Sequence, residues 1–180
     1  EAIAKVMAYI EQRGWGDDVD IVFTTDHGEF QGEFGLLFKG PYHVDALMRL
    51  PMIWRPAKSA KHAPAVVEWM QGKPMPLSDA EAEKQGRERV FTEWDCEHVD
   101  GTTVGLRTIY RDGYTITAYL PGTIYDGTEG ELYDHKEDPG QLRNLWNDPA
   151  YAALKSDLLA DLKDAQPPVR EPRMACVAPV

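Results

Sequence analysis

The chain has 180 residues, with 30 Asp and Glu against 19 Lys and Arg, and a formal charge of −11. That acidic excess repels nucleic acid and anionic membrane surfaces unless a local basic patch overrides it, and no apolar run approaches the ~20 residues of a membrane span. Two cysteines, Cys96 and Cys176, are too few for a disulfide scaffold and lack metal-type spacing.

The pattern is helical from the outset. Ile3, Val6, Met7 and Ile10 recur at i, i+3, i+4 and i+7, and Gly14 supplies a stop. An opening on a helix, without an initiating methionine, leads us to expect the C-terminal part of something longer. Next comes Asp20-Ile21-Val22-Phe23-Thr24-Thr25, a short β-branched run that predicts a central strand, parallel to its neighbours and buried on both faces. It leads into Asp26-His27-Gly28-Glu29. Gly32, Gly35 and Gly40-Pro41 then break the chain before a helical stretch at 43–48 and a second strand at 50–55. Helix, strand, loop, helix and strand in this order predict an α/β arrangement.

Four prolines between residues 56 and 77 predict a surface connection. It divides the chain into an α/β core over 1–77 and a second subdomain over 78–180. Beyond a short charged segment opened by Ser78, the pattern turns antiparallel. Strands are predicted at 89–94, 104–110 and 114–120, the last two flanking the hairpin signal Arg111-Asp112-Gly113, with a short one at 131–133. Asp148 and Pro149 then form a favoured helix start, and Tyr151, Leu154, Leu158 and Leu162 make one apolar stripe. Pro167-Pro168 ends that helix, and residues 170–180 read as an extended tail.

Ligand sites in α/β sheets gather beyond the carboxyl ends of strands, where Asp26-His27 falls. A carboxylate and an imidazole side by side can hold one divalent cation; the bland alternative is a carboxylate bonded to loop amides beside a half-buried ring. Lys39 lies on the glycine-rich loop leaving the same strand. There an ammonium can grip an anionic ester oxygen or simply be solvated.

Phe23-Thr24-Thr25-Asp26-His27-Gly28-Glu29, Gly35-Leu36, Lys39-Gly40-Pro41 and Arg49-Leu50-Pro51-Met52-Ile53 together resemble the second half of sulfatases, members of the alkaline-phosphatase-like superfamily. Gly130-Glu131-Leu132-Tyr133-Asp134, Glu137-Asp138-Pro139, Asn144-Leu145 and Asp148-Pro149-Ala150-Tyr151 resemble that family's C-terminal subdomain. The resemblance covers nearly the whole chain. It implies the C-terminal part of an alkaline-phosphatase-like α/β sandwich, followed by a small antiparallel sheet with a terminal helix.

The resemblance also implies roles. Asp26 and His27 would be metal ligands. Lys39 would be catalytic, contacting the sulfate and stabilising charge as the ester bond breaks. His43 would line the substrate pocket, or else stand on a helix surface. Glu29, Glu33 and Asp45 read as structural carboxylates. Calcium is the implied metal, and a histidine at position 27 also suits manganese. The family nucleophile is a formylglycine made in a Cys/Ser-x-Pro/Ala-x-Arg motif. Neither Cys96 nor Cys176 has that context, so formylglycine and two further metal carboxylates are expected in a missing N-terminal half. Near Val67 to Trp69 the sequence also lacks a stretch that relatives carry.

His62, His98 and His135 read as isolated surface histidines. Trp94, Tyr110, Tyr114 and Tyr119 are expected to pack on strands. The expected whole is a metal-dependent hydrolase of sulfate esters, partnered by a small-molecule ester and by its own missing half. A phosphonate or phosphodiester monoester hydrolase of the same superfamily and a non-catalytic truncated module are the alternatives. Without the missing half, exposed strand edges and apolar helix faces are expected.

Overall fold

The structure is a computed structural model and describes residues 1–59, 76 and 78–167. The Val67–Trp69 junction, His62, Cys176 and the 170–180 tail lie outside the described residues. The chain separates into two compact units, residues 1–28 with 49–86 and residues 29–48 with 87–180.

In the first unit, helix α1 (Ala2–Gln12) ends where the sequence predicts, with Gly14 in the left-handed region at φ 71°. None of its residues is buried. Strand β1 (Ile21–Thr24) pairs with β4 (Met52–Arg55) from Ile21↔Arg55 to Thr24↔Met52. Here the expectation fails on two counts. The pair is antiparallel, and β1 is largely exposed, with Val22 at 51% and Phe23 at 39%. A β-branched run signals a strand, but its pairing partner depends on which segments are at hand. Asp20 ties the sheet to its entry, its Oδ1 accepting from the Trp54 indole at 3.2 Å and the Ala57 amide at 3.0 Å. Helix α3 (Asp79–Gln85) starts on Ser78, whose hydroxyl accepts from the Glu81 amide.

The second unit is built on a four-stranded antiparallel sheet in the order β5-β6-β7-β8: Arg89–Glu97, Thr103–Arg111, Tyr114–Tyr119 and Gly130–Asp134. The β6–β7 turn bears out its sequence signal, Asp112 at φ 55° and Gly113 at φ 84°, as a two-residue hairpin of matching twist requires. Alternation makes the sheet two-sided. Ile109, Ile116 and Leu132 lie opposite one another on β6, β7 and β8 and pack under helix α4 (Ala152–Ala165) with Leu145, Trp146, Leu158 and Leu162. The predicted apolar stripe is the buried one. Asp148 caps the 3-10 turn Pro149–Tyr151 that leads into α4, its Oδ1 accepting from the Ala150 amide at 3.0 Å.

The outer edge of β8 is covered locally. Asn144 Oδ1 accepts from the Leu132 and Trp146 amides, its Nδ2 donates to the Gly130 carbonyl, and the Leu145 amide donates to the Leu132 carbonyl at 2.8 Å. That explains why Asn-Leu follows the strand: the side chain satisfies backbone groups of an edge that would otherwise be open. Gly130 lies so close to Trp146 that an added methyl would meet the indole at 2.5 Å. Arg89 and Arg111 reach from β5 and β6 to Asp157, Asp161 and Asp164 on α4.

Residues 29–48 cover the sheet face opposite α4. They contain strand β2 (Phe30–Gln31), paired with β3 (Leu37–Phe38), and the single-turn helix α2 (Asp45–Met48). Phe30, Val44 and Leu47 are buried with Tyr133 of β8 in a second small core.

Candidate functional site

Asp26 and His27 follow β1 directly in the first unit. The Asp26 carboxylate is bent back on its own chain, Oδ1 accepting from the His27 amide at 3.0 Å. The imidazole is oriented by its neighbour, with Nδ1 2.8 Å from the Gly28 carbonyl. A carbonyl only accepts, so Nδ1 carries the proton of that bond. In the neutral ring Nε2 then holds the lone pair, and it stands 3.4 Å from Asp26 Oδ2. Two ligands meeting one cation at right angles are separated by roughly 3 Å, so this donor pair fits a divalent ion. A histidine fixed through its second nitrogen is the usual supporting arrangement for a metal ligand. Two ligands do not fill a hard cation's shell, and among the described residues no group of three or more His, Cys, Asp or Glu forms a metal-holding cluster.

Lys39 and His43 belong to the second unit. Lys39 is exposed, directly after Phe38, whose φ of 68° is left-handed. His43 is not on a helix surface. It precedes α2 and is only 5% exposed, with Nδ1 2.7 Å from Thr108 Oγ1 and 3.3 Å from Thr92 Oγ1. Burial, with Arg107 as a lesser cause, pushes its pKa down, so the ring is neutral at pH 7.

The residues beneath His43 form a row that the sequence reading missed. Thr92, Thr108, Thr117 and Glu131 lie directly opposite one another across the four strands. Thr108 and Thr117 share a hydrogen bond at 2.8 Å, and Glu131 accepts from the Tyr119 hydroxyl at 2.7 Å. Burial pushes the Glu131 carboxyl up, against the lowering effect of that bond. The available signal was period-two placement: Thr108 and Thr117 each sit beside an inward isoleucine and so face away from α4.

His135 is likewise no isolated surface residue. Its Nε2 is 2.6 Å from Thr115 Oγ1, its Nδ1 3.6 Å from Asp45 Oδ2, and Tyr110 meets it edge-on. The Asp45 amide donates to Gln141 Oε1 at 2.7 Å, and Glu33 accepts from the Gln31 amide. Cys96 is a half-buried free thiol. Among the described residues no helix is long and apolar enough to cross a membrane.

No protein-family model matches the chain. Curated relatives do. Over 87% of its length it is 27% identical to the multifunctional alkaline phosphatase superfamily protein PehA of Trinickia caryophylli, and over 92% it is 27% identical to an N-acetylglucosamine-6-O-sulfatase of Bacteroides thetaiotaomicron. It covers 36% and 33% of those proteins, about a third of their length. In structure it resembles BT4656 in complex with its substrate D-glucosamine-2-N,6-O-disulfate, with TM-score 0.71 and 21% identity over 91% of this chain and 37% of that one. It also resembles the phosphonate monoester hydrolase of Agrobacterium radiobacter, with TM-score 0.61 and 18% identity over 89% and 38%. The fold is thus the mixed α/β fold of sulfatase structures, with antiparallel sheets and a C-terminal helix. In sequence and fold the chain is thus similar to alkaline-phosphatase-like sulfatases, over a stretch corresponding to their C-terminal part.

Proposed function

We propose that this chain is the C-terminal portion of a metal-dependent sulfatase, and that the whole protein hydrolyses a sulfate ester to an alcohol and inorganic sulfate. The observation that carries this reading is the likeness to an N-acetylglucosamine-6-O-sulfatase along 92% of the chain. In this reading Asp26 Oδ2 and His27 Nε2 are two ligands of one cation, calcium or manganese. When bound, that ion would neutralise sulfate oxygens. His27 is kept in the metal-binding tautomer by the Gly28 carbonyl. Lys39 binds the anionic ester as a mobile point charge and stabilises the charge that builds as the ester bond breaks. The remaining ligands and the formylglycine nucleophile belong to a segment outside these 180 residues.

A phosphonate or phosphodiester monoesterase is the second reading. It is favoured by the likeness in fold to the phosphonate monoester hydrolase and by a nitrogen donor at position 27. The test uses the full-length protein that carries this chain, with 4-nitrophenyl sulfate and phenyl 4-nitrophenylphosphonate as paired substrates. The sulfate ester is expected to turn over faster, chelation to stop the reaction, and calcium or manganese to restore it. Asp26→Ala and His27→Ala are each expected to raise the metal concentration needed by at least about tenfold. Faster phosphonate cleavage would select the second reading, and turnover indifferent to chelation would end the metal assignment.

A further inference from the structure

We propose that His43 is a positioning residue for Lys39, fastening the loop that carries the ammonium to the threonine row of the β5–β8 sheet. The inference rests on the role given to Lys39 above and concerns how that charge is held in place.

Lys39 stands on a short arc with an anchor at each end. On one side Phe38 pairs with Phe30, which is 2% exposed and packed with Tyr133. On the other side is His43, bonded into the sheet. Between them the Tyr42 amide donates to the Gly40 carbonyl at 2.8 Å, closing a tight turn over Pro41. The Tyr42 ring meets Phe30 edge-on at 5.7 Å, joining the two anchors. Little backbone freedom is left at residue 39. Its position is set by where Phe30 and His43 rest.

The chemistry at position 43 distinguishes positioning from mere filling. A buried leucine would occupy the space, but packing alone tolerates small slides. A hydrogen bond of 2.7 Å to Thr108 is directional, and Thr108 is itself held by Thr117. Burial keeps the imidazole neutral, as a bond among hydroxyls with Arg107 nearby requires. The next residues reinforce the register. Val44 and Leu47 are buried, and the Asp45 amide is bonded to Gln141.

Three variants in the full-length protein test this. His43→Leu keeps the bulk and loses the bond, His43→Asn keeps a polar atom near Nδ1, and Thr108→Val removes the hydroxyl. With 4-nitrophenyl sulfate, His43→Leu is expected to lower kcat/KM by about 10- to 100-fold, the scale of a small misplacement of a charged group. Thr108→Val should lose activity too, and the double variant should be no worse than His43→Leu, because both remove one bond. His43→Asn should recover to within about threefold of wild type. Amide exchange at residues 37–42 should quicken in His43→Leu and not in His43→Asn. Should His43→Leu not fold, Thr108→Val and His43→Asn decide by the same criteria. Additive losses, no recovery by His43→Asn, or unchanged exchange at 37–42 would overturn the proposal. Lys39→Ala separates the two ideas. If it leaves turnover intact, the role of Lys39 is lost, and amide exchange alone decides whether His43 holds the loop.

Discussion

The two units differ in what they bury. Among the described residues, every buried hydrophobic side chain except Ala57 belongs to the second unit. There the sheet has α4 on one face and residues 29–48 on the other. The first unit displays its apolar residues instead: Ile3, Val6 and Tyr9 on α1, Val22 and Phe23 on β1, and Met52 and Ile53 on β4 are all exposed. A helix with an apolar stripe and no buried residue has the sequence of a packed element without the packing. The lesson is that one chain can combine a self-sufficient core with a region whose pattern calls for further surface. The chain spans about a third of the length of the curated relatives it matches.

That contrast can be broken by mutation. Leu132→Ala, at a fully buried position under α4, is expected to cost about 3 kcal/mol in urea unfolding followed by Trp fluorescence. Ile3→Ala is expected to cost under about 0.5 kcal/mol. Equal losses would mean that α1 is packed after all.

The Arg89–Arg111–Asp161 network should come next in size. Burial pushes the Asp161 carboxyl up, but hydrogen bonds from Arg111 and Arg89 outweigh this and hold it below the ordinary range. A depressed carboxylate contributes stability above its unfolded value of about 3.9, and that contribution is lost as pH falls through the folded value. Asp161→Asn should lower the urea midpoint at pH 7 and flatten its decline in acid. An unchanged acid limb would show that the network adds nothing.

His43 gives an effect in a different window. Its folded pKa is lowered, so the unfolded chain takes up the proton first and stability rises with pH. The contribution is full above about pH 6.5 and falls as pH drops from there through the folded value. The ring faces Thr92 and Thr108, with Arg107 the nearby charge and the Asp45–His135 pair on the adjoining turn. The urea midpoint is expected to drop between pH 7.5 and 5.5, and less so in His43→Leu. At the hairpin, Gly113→Ala at φ 84° should cost about 1 kcal/mol. No loss there would mean that the turn relaxes.

The second unit was the more legible in sequence because its signals are local. Turn chemistry at Asp112-Gly113, the Asp148-Pro149 start and the α4 stripe need only neighbours along the chain. The partner of β1 was not legible, since pairing is settled by segments distant in sequence. Position 43 was misleading for the same reason, because its burial depends on threonines 49 and 65 residues away. Asp26-His27 was readable as a donor pair. The ring orientation set by the Gly28 carbonyl needed coordinates.

The hydroxyls at Thr108 and Thr117 and the isoleucines at 109 and 116 are neighbours along their strands yet face opposite ways. If β7 slipped by one residue against β6, hydroxyls would be driven beneath α4, and Ile116 would be set against the imidazole. That misalignment would strand hydroxyls in oil and take Thr117 away from Thr108, the residue that holds the ring. The alternation thus works as an error check during assembly, rejecting nearly correct sheets that hydrophobicity alone would accept.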